Sequence, residues 1–182
     1  MPDIDATSTK PEVFIVAATT IDGFIARNKT EFANWTSPED KKRFVTLTKE
    51  AGIMVMGATT FRTFPKPLPG RHHVIYSRTE RFEDKWPDGN VETTTLEPAK
   101  LIEELARRGY TKIAICGGES IYTAFLEAGV VTHMYLTIEP IQFGNGIRLL
   151  SPTNESQKDI QWKLLKSETT ENGTVFLDYL LR

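Results

Sequence analysis

The stretch KIAICGGESIYTAFLEA, residues 112–128, decides the fold. Its first part predicts a strand over 112–116, Gly117-Gly118 predicts a tight turn, and the remainder predicts a helix over 119–128. The segment 53–63 repeats this order, with a buried strand over 53–56, then Gly57 and a short helix over 58–63. A strand that leads into a helix, repeated along a chain, predicts parallel βαβ units.

The rest of the chain extends this pattern in both directions. Further strands are predicted over 13–19, 24–26, 73–77, 91–94 and 132–139, further helices over 37–51 and 98–108, and a closing hairpin over 160–169 and 174–181. Asn172-Gly173 is a strong hairpin turn signal. We therefore predict an α/β fold, a three-layer α/β/α sandwich around a mostly parallel sheet of about eight strands with an antiparallel C-terminal hairpin. Residues 12–182 form one predicted domain, and residues 1–11 a predicted disordered tail.

Composition excludes several classes of protein. The 182 residues are 40% hydrophobic and 25% charged, with a formal net charge of -2, so we expect no nucleic-acid partner. Cys116 is the single cysteine, which rules out an intrachain disulfide, and the three histidines lack the spacing of metal ligands. No apolar run is long enough for a membrane span, and the polar N-terminus has no signal-peptide pattern, so we expect a cytoplasmic protein with no membrane partner.

The clearest candidate site residue is Asp40. On a helix that starts at the cap Ser37, the stripe predicted to face the core consists of Asp40, Phe44, Leu47 and Ala51, whereas Glu39, Lys42 and Arg43 are predicted to point elsewhere. Asp40 either caps the helix and favours its dipole, or anchors a ligand through amide-like N–H donors. Trp35, beside a polar loop, either packs as a core anchor or closes over a ligand.

Two further patterns suggest ligand contacts. Residues 67–71 (Pro-Leu-Pro-Gly-Arg) present Arg71 before a strand, where it either clamps a carboxylate or phosphate or is simply solvated. Two strand-to-helix turns, Gly57-Ala58-Thr59-Thr60 and Cys116-Gly117-Gly118-Glu119-Ser120, could flank one pyrophosphate, although each could also be a plain tight turn.

In this order, these pieces resemble the dihydrofolate reductase family over residues 13–182. The resemblance is carried by Trp35, Asp40 and Phe44 at matching spacing, by Val55-Met56-Gly57 and Thr60, by residues 67–71, by Gly117-Gly118 with Tyr122, and by Tyr135-Leu136-Thr137 with the closing hairpin. The resemblance implies hydride transfer from NADPH to C6 of dihydrofolate and protonation at N5. It also implies a small-molecule substrate and either a monomer or a homodimer.

The resemblance assigns roles by position. Asp40, Trp35 and Thr137 would be catalytic, as pterin anchor, lid and support of Asp40. The substrate would be contacted by Ala17, Asp40, Phe44, Phe64, Leu68, Arg71 and Thr137. NADPH would be held by Ala18, Ile25, Gly57, Ala58, Thr59, Thr60, Ser77, Arg78, Cys116, Gly117, Gly118, Glu119, Ser120, Ile121 and Tyr122. No metal site is expected.

Other features point to relatives of that family. Ala58 stands where an arginine often reads the 2′-phosphate of NADPH, and Arg78 could supply the missing charge. Residues 21–26, 35–37 and 125–131 are similar to the reductase domain of the bifunctional riboflavin-pathway enzyme. That domain reduces a ribosylaminopyrimidine phosphate, which is the alternative function. A non-catalytic NADPH-binding protein is the second alternative.

Overall fold

In the computed structural model, residues 10–87, 90–151 and 159–182 are described. The strands are β1 (Glu12–Thr20), β2 (Phe24–Ala26), β3 (Ile53–Gly57), β4 (His72–Tyr76), β5 (Val91–Thr94), β6 (Lys112–Ile115), β7 (His133–Glu139), β8 (Ile147–Arg148), β9 (Trp162–Thr169) and β10 (Val175–Leu181). The helices are α1 (Pro38–Ala51), α2 (Ala58–Phe61), α3 (Pro98–Arg107) and α4 (Glu119–Glu127). The predicted disordered tail lies outside the described residues except for Lys10 and Pro11.

One eight-stranded sheet forms the middle of the fold, in the order β5-β4-β3-β6-β1-β7-β10-β9. The first six strands in this order, from β5 through β7, are parallel to one another. Strand β10 pairs with β7 in the antiparallel direction, and β9 pairs with β10 in the same way. This confirms the predicted mostly parallel sheet with its closing hairpin. Because the parallel strands share a direction, their carboxyl ends lie at one edge of the sheet.

The sheet is covered on both faces, since successive side chains of a strand point to opposite sides. On β1, Val13 and Ile15 join one apolar cluster with residues of α3 and α4, whereas Phe14 and Val16 join a second cluster with residues of α1 and the segment 58–68. The three-layer arrangement is therefore confirmed, and each layer of helices buries its own face of the sheet.

Some predicted boundaries differ from the structure. Strand β4 begins at His72 and ends at Tyr76, one residue earlier than predicted at both ends, and α2 is two residues shorter than predicted. The hairpin strands begin at Trp162 and Val175. The two-residue strand β8, which pairs with β2 in a small separate antiparallel sheet, was not predicted, because a strand this short carries no periodicity.

Candidate active site

Helix α1 carries Asp40 to the carboxyl edge of the sheet. Ser37 caps the helix as predicted, and its Oγ accepts a hydrogen bond of 3.1 Å from Asp40 N. Besides the predicted stripe, Arg43 and Thr48 are also turned toward the protein. The prediction that Arg43 points away is wrong. Its guanidinium donates to Leu136 O at 3.2 Å and pairs with Asp178 of β10.

The Asp40 carboxyl group is largely buried among polar groups. Burial raises its pKa above the ordinary value of 3.8, and the negative charge of Glu139 raises it further. Hydrogen bonds from the hydroxyls of Thr137 and Thr36 act in the opposite direction, as does the charge of Arg43. Thr137 therefore lies close enough to Asp40 to affect its pKa, and so does Thr36, which was not predicted to be part of the site.

Glu139, at the end of β7, is a site residue that the sequence interpretation missed. It is only 3% exposed. Its Oε1 accepts hydrogen bonds of 2.8 Å from both Ser37 N and Ser37 Oγ, and its Oε2 accepts one of 2.7 Å from Thr174 Oγ1. A two-residue period along β7 places Glu139 on the same face as Thr137, and that signal was available in the sequence.

An apolar wall extends from Asp40 along α1 and the segment after α2. The predicted substrate contacts Phe44, Phe64 and Leu68 are half-buried, and each of them packs against the same buried apolar cluster under α1. Ala17 is buried near the end of β1, where its register partner on β7 is Leu136, directly before Thr137. The wall therefore offers an apolar surface beside the carboxylate.

Arg71 is buried rather than solvated, with 5% exposure. Its Nε donates to Pro69 O at 3.1 Å, and its Nη1 donates to Thr48 Oγ1 at 3.0 Å. Thr48 Oγ1 in turn donates to Phe44 O at 2.7 Å, so its hydroxyl links Arg71 to the backbone of α1. Burial lowers the pKa of the Arg71 guanidinium, which nevertheless stays charged at neutral pH.

His73 fixes the loop that precedes β4. The buried ring accepts a hydrogen bond of 3.2 Å at Nε2 from Leu68 N, while Nδ1 lies 3.2 Å from Asn90 O. Nδ1 therefore carries the proton, and the ring is neutral. Burial lowers the pKa of His73, which favours this state. The sequence interpretation considered the histidines only as metal ligands, so it missed this role.

The two glycine turns lie against each other. Gly57 N donates to Gly117 O at 2.8 Å, and Cys116 N donates to Val55 O at 2.8 Å. A Cβ on Gly118 would come within 3.3 Å of Thr60 Oγ1, so the two turns are closely packed. Helix α4 begins at this turn, with Gly118 as its cap residue and no side-chain hydrogen bond at the cap. The pyrophosphate site suggested for these turns stays a prediction.

The residues between these turns and β1 are mostly buried. Tyr122 donates from its hydroxyl to Val16 O at 2.9 Å, and burial raises the pKa of that hydroxyl. The Cys116 thiol is also buried, and burial raises its pKa, which agrees with its interpretation as a small apolar residue. Ala18 and Ile25, two predicted NADPH contacts, are half-buried.

A cavity of about 420 Å³ opens at the carboxyl ends of β4 and β5. Ser77 and Arg78, both predicted to contact NADPH, line it. Ser77 Oγ accepts a hydrogen bond of 3.1 Å from Glu80 N and so fixes the turn. Arg78 is exposed, and in the part of the chain that the structure describes it has no acidic partner. Its charge is therefore free to meet a phosphate.

Two loops meet at Trp35 and Phe143. The Trp35 ring meets Phe143 edge to face, with centroids 5.0 Å apart, and its buried Nε1 has no hydrogen-bond partner among the described residues. Asp22 accepts hydrogen bonds from Gly144 N at 2.7 Å and Phe143 N at 3.3 Å, which ties the two loops together. Trp35 thus packs within the loops that would form the predicted lid.

Comparison with known proteins agrees with this geometry. The sequence model of the RibD C-terminal domain matches residues 11–176. The chain belongs to the RibD C-terminal domain family. The match extends from the start of β1 into β10, so it includes every strand of the parallel part of the sheet.

A curated relative and two solved structures illustrate what this RibD-type chain is similar to. Dihydrofolate reductase type 9 from Escherichia coli is 36% identical over 121 residues, which are 62% of this chain and 66% of the relative. The chain thus spans just under two thirds of that relative. Two solved structures share the fold. One is a pyrimidine reductase-like protein from Corynebacterium diphtheriae (TM-score 0.74, 20% identity, 94% of this chain and 92% of that one).

The other solved structure is a diaminohydroxyphosphoribosylaminopyrimidine deaminase/5-amino-6-(5-phosphoribosylamino)uracil reductase from Thermotoga maritima. It has a TM-score of 0.77 and 15% identity, and the match covers 95% of this chain and 57% of that one. Identities this low establish a shared fold alone.

The RibD-type fold brings most of the predicted residues to one edge of the sheet. Thr137 lies near Asp40 and affects its pKa, and the glycine turns adjoin each other. Arg78 lies apart, in the cavity beside β4 and β5. Within the described residues, no group of three or more His, Cys, Asp or Glu side chains could hold a metal ion, and no helix is long and apolar enough to cross a membrane.

Proposed function

We propose that the chain catalyses the NADPH-dependent reduction of 7,8-dihydrofolate to 5,6,7,8-tetrahydrofolate. The observation that carries this proposal is the placement of a carboxylate and a guanidinium at the two ends of one apolar wall. Asp40 and Thr48 are eight residues apart on α1, so about 12 Å of helix axis separates them. Arg71 Nη1 lies 3.0 Å from Thr48 Oγ1, which places the guanidinium at the far end.

The chemistry of this wall suits a folate. The pterin presents adjacent ring and amino N–H donors, which the Asp40 carboxylate can accept as a bidentate pair. The p-aminobenzoyl ring could then pack against Phe44, Phe64 and Leu68, and the glutamate carboxylate could pair with Arg71. A ribosyl chain in the same position would leave its hydroxyls unpaired against apolar side chains, which is unfavourable.

The cofactor proposal rests on two separate places. The turns at Gly57 and Gly117-Gly118 could hold the pyrophosphate, and Ser77 and Arg78 could hold the adenosine end in the cavity beside β4 and β5. NADPH would supply the hydride for C6 of the substrate. Arg78 would distinguish NADPH from NADH by pairing with the 2′-phosphate, in place of the arginine that is absent at Ala58.

The protein's own residues would orient the substrate and control its proton. Asp40 would hold the pterin with its N5 ready for protonation, supported by the hydroxyls of Thr137 and Thr36. The proton would come from water admitted at the lid, which Trp35 would close. A carboxylate in this position polarises the ring without handing over its own proton.

The alternative function is reduction of a ribosylaminopyrimidine phosphate. It is supported by the family match over residues 11–176 and by the likeness in fold to riboflavin-pathway and pyrimidine reductase-like proteins. Arg71 would then pair with the substrate phosphate. In that case the hydroxylated sugar would have to avoid the apolar wall.

A direct assay distinguishes these functions. Purified protein is mixed with NADPH and either dihydrofolate or 5-amino-6-ribosylaminouracil phosphate, and the loss of NADPH absorbance is followed. We expect oxidation with dihydrofolate only. Oxidation with the pyrimidine only would establish the alternative, and binding of NADPH without oxidation in either mixture would indicate a non-catalytic NADPH-binding protein.

A further inference from the structure

The carboxylate of Glu139 is buried, which is energetically unfavourable for a charged group. It is 3% exposed, and among the described residues it forms no ion pair. Removing a carboxylate from water costs several kcal/mol unless hydrogen bonds compensate. Three do so here, from Ser37 N, Ser37 Oγ and Thr174 Oγ1, at 2.7–2.8 Å. Three hydrogen-bond donors therefore hold the Glu139 carboxylate beneath the start of α1.

These hydrogen bonds fix the geometry of the helix start. Ser37 is the cap residue of α1, and its Oγ both donates to Glu139 and accepts from Asp40 N. Because Glu139 ends β7, the contact joins the first turn of α1 to the sheet across 102 positions of sequence. Asp40 lies in that first turn, so its direction depends on this contact.

We propose that Glu139 is a positioning residue of the reductase site, which aims Asp40 at the substrate by fixing Ser37 to β7 and which places a second negative charge beside the Asp40 carboxylate. This inference rests on the proposed function for its kinetic consequences. The geometric part concerns the apoprotein and stands independently of any substrate.

The charge of Glu139 has an effect that hydrogen bonding alone would not produce. A glutamine could offer Ser37 the same acceptor oxygen without burying a charge. The charged or ionisable groups that face Asp40 are Glu139 from β7, Arg43 from α1 and Tyr122 from α4. Of these, Glu139 raises the pKa of Asp40 and Arg43 lowers it. The carboxylate at residue 139 therefore makes Asp40 hold its proton to higher pH.

The test separates the charge from the hydrogen bonds. Glu139→Gln removes the charge and keeps an acceptor for Ser37, whereas Glu139→Ala removes both. Glu50→Gln is the matched control, since it removes one exposed carboxylate from the last turn of the same helix. In each protein the Asp40 carboxyl carbon, identified by its absence in Asp40→Asn, is titrated by ¹³C NMR, and kcat and KM for dihydrofolate are measured across pH.

We expect the Asp40 midpoint to move to lower pH in Glu139→Gln, together with the corresponding midpoint of kcat/KM, and to stay unchanged in Glu50→Gln. Glu139→Ala should lower kcat by up to about 100-fold through misplacement of Asp40, and Glu139→Gln should recover most of that loss.

Coincident Asp40 midpoints in Glu139→Gln and the wild type would overturn the role of the charge. Wild-type kcat and KM in Glu139→Ala would overturn the role in positioning. If the wild type itself reduces no dihydrofolate, the proposed function fails, whereas the NMR titration still decides whether the charge of Glu139 acts on Asp40.

Discussion

At the scale of single residues, the site depends on the Asp40 carboxylate, whose ionised form is destabilised by its surroundings in the fold. Asp40 is largely removed from water and has a negative neighbour in Glu139, and both effects raise its pKa. The hydroxyls of Thr36 and Thr137 offset only part of this cost. A helix cap could accept from backbone N–H groups while remaining exposed to water. Burial of this side chain therefore favours the ligand-anchor interpretation of Asp40 over the cap interpretation.

Asp40→Asn should lower the turnover of the enzyme and raise its stability at neutral pH. The pKa of Asp40 is higher in the folded protein than in the unfolded chain, so the folded state keeps the proton to higher pH and its stability falls as pH rises through that window. We expect Asn to increase the free energy of unfolding at neutral pH, with the gain vanishing as pH falls toward 3.8. Turnover should drop about 10²–10³-fold.

Urea denaturation of both proteins across pH, together with steady-state kinetics, measures these effects. NADPH affinity serves as the internal control, since the cofactor turns lie on other elements. Equal turnover in the two proteins would return Asp40 to the role of a helix cap.

At the scale of elements, the loop before β4 is held by one ring. His73 accepts from Leu68 N and faces Asn90 O, and its ring lies 5.8 Å from that of Phe61. His73→Phe should keep the ring packing and lose both hydrogen bonds, which we expect to cost about 1–3 kcal/mol of stability at neutral pH. The KM for dihydrofolate should rise, because Leu68 belongs to the substrate wall.

The pH dependence provides a sharper test of His73. Its pKa is lower in the folded protein than in the unfolded chain, so wild-type stability falls as pH drops from 6.5 through the folded value. His73→Phe lacks this component, so the stability difference between the two proteins should narrow in acid. His72→Phe, at the neighbouring position, is the control and should keep the component. Parallel curves for wild type and His73→Phe would contradict this account.

The elements differ in how far the sequence could predict them. Helix α1 was predicted with its cap and its end at Gly52, because Ser37, Pro38 and the apolar stripe are local signals. The partners of Glu139 and His73 depend on segments that meet only after folding. Arg43 was predicted to point away because it lies off the stripe through Asp40 and Phe44, and only the position of β10 reveals its partner Asp178.

At the scale of the whole molecule, the site is assembled from distant parts of one sheet. The proposed cofactor contacts lie at the carboxyl ends of β3, β4 and β6, whereas Asp40 lies on α1 and Thr137 on β7. The sequence could predict that these residues come together, because parallel strands bring their carboxyl ends to one edge of the sheet. It could not predict the cavity at Ser77 and Arg78, since the cavity also requires β5 and the turn fixed by Glu80 N.

Cofactor binding should therefore stabilise the whole domain cooperatively. At one hundred times its dissociation constant, a ligand that binds only the folded state adds about 2.7 kcal/mol, which raises the melting temperature of a domain this size by about 5–10 °C. We expect NADPH to give a rise of this size and NADH a smaller one at the same concentration.

Arg78→Gln should remove the difference, since it removes the charge proposed to meet the 2′-phosphate. Arg81→Gln is the matched control, because Arg81 is already paired with Glu83, at 3.0 Å. Thermal denaturation with each cofactor measures these shifts, and equal shifts by NADPH and NADH in the wild type would exclude Arg78 as the discriminating residue.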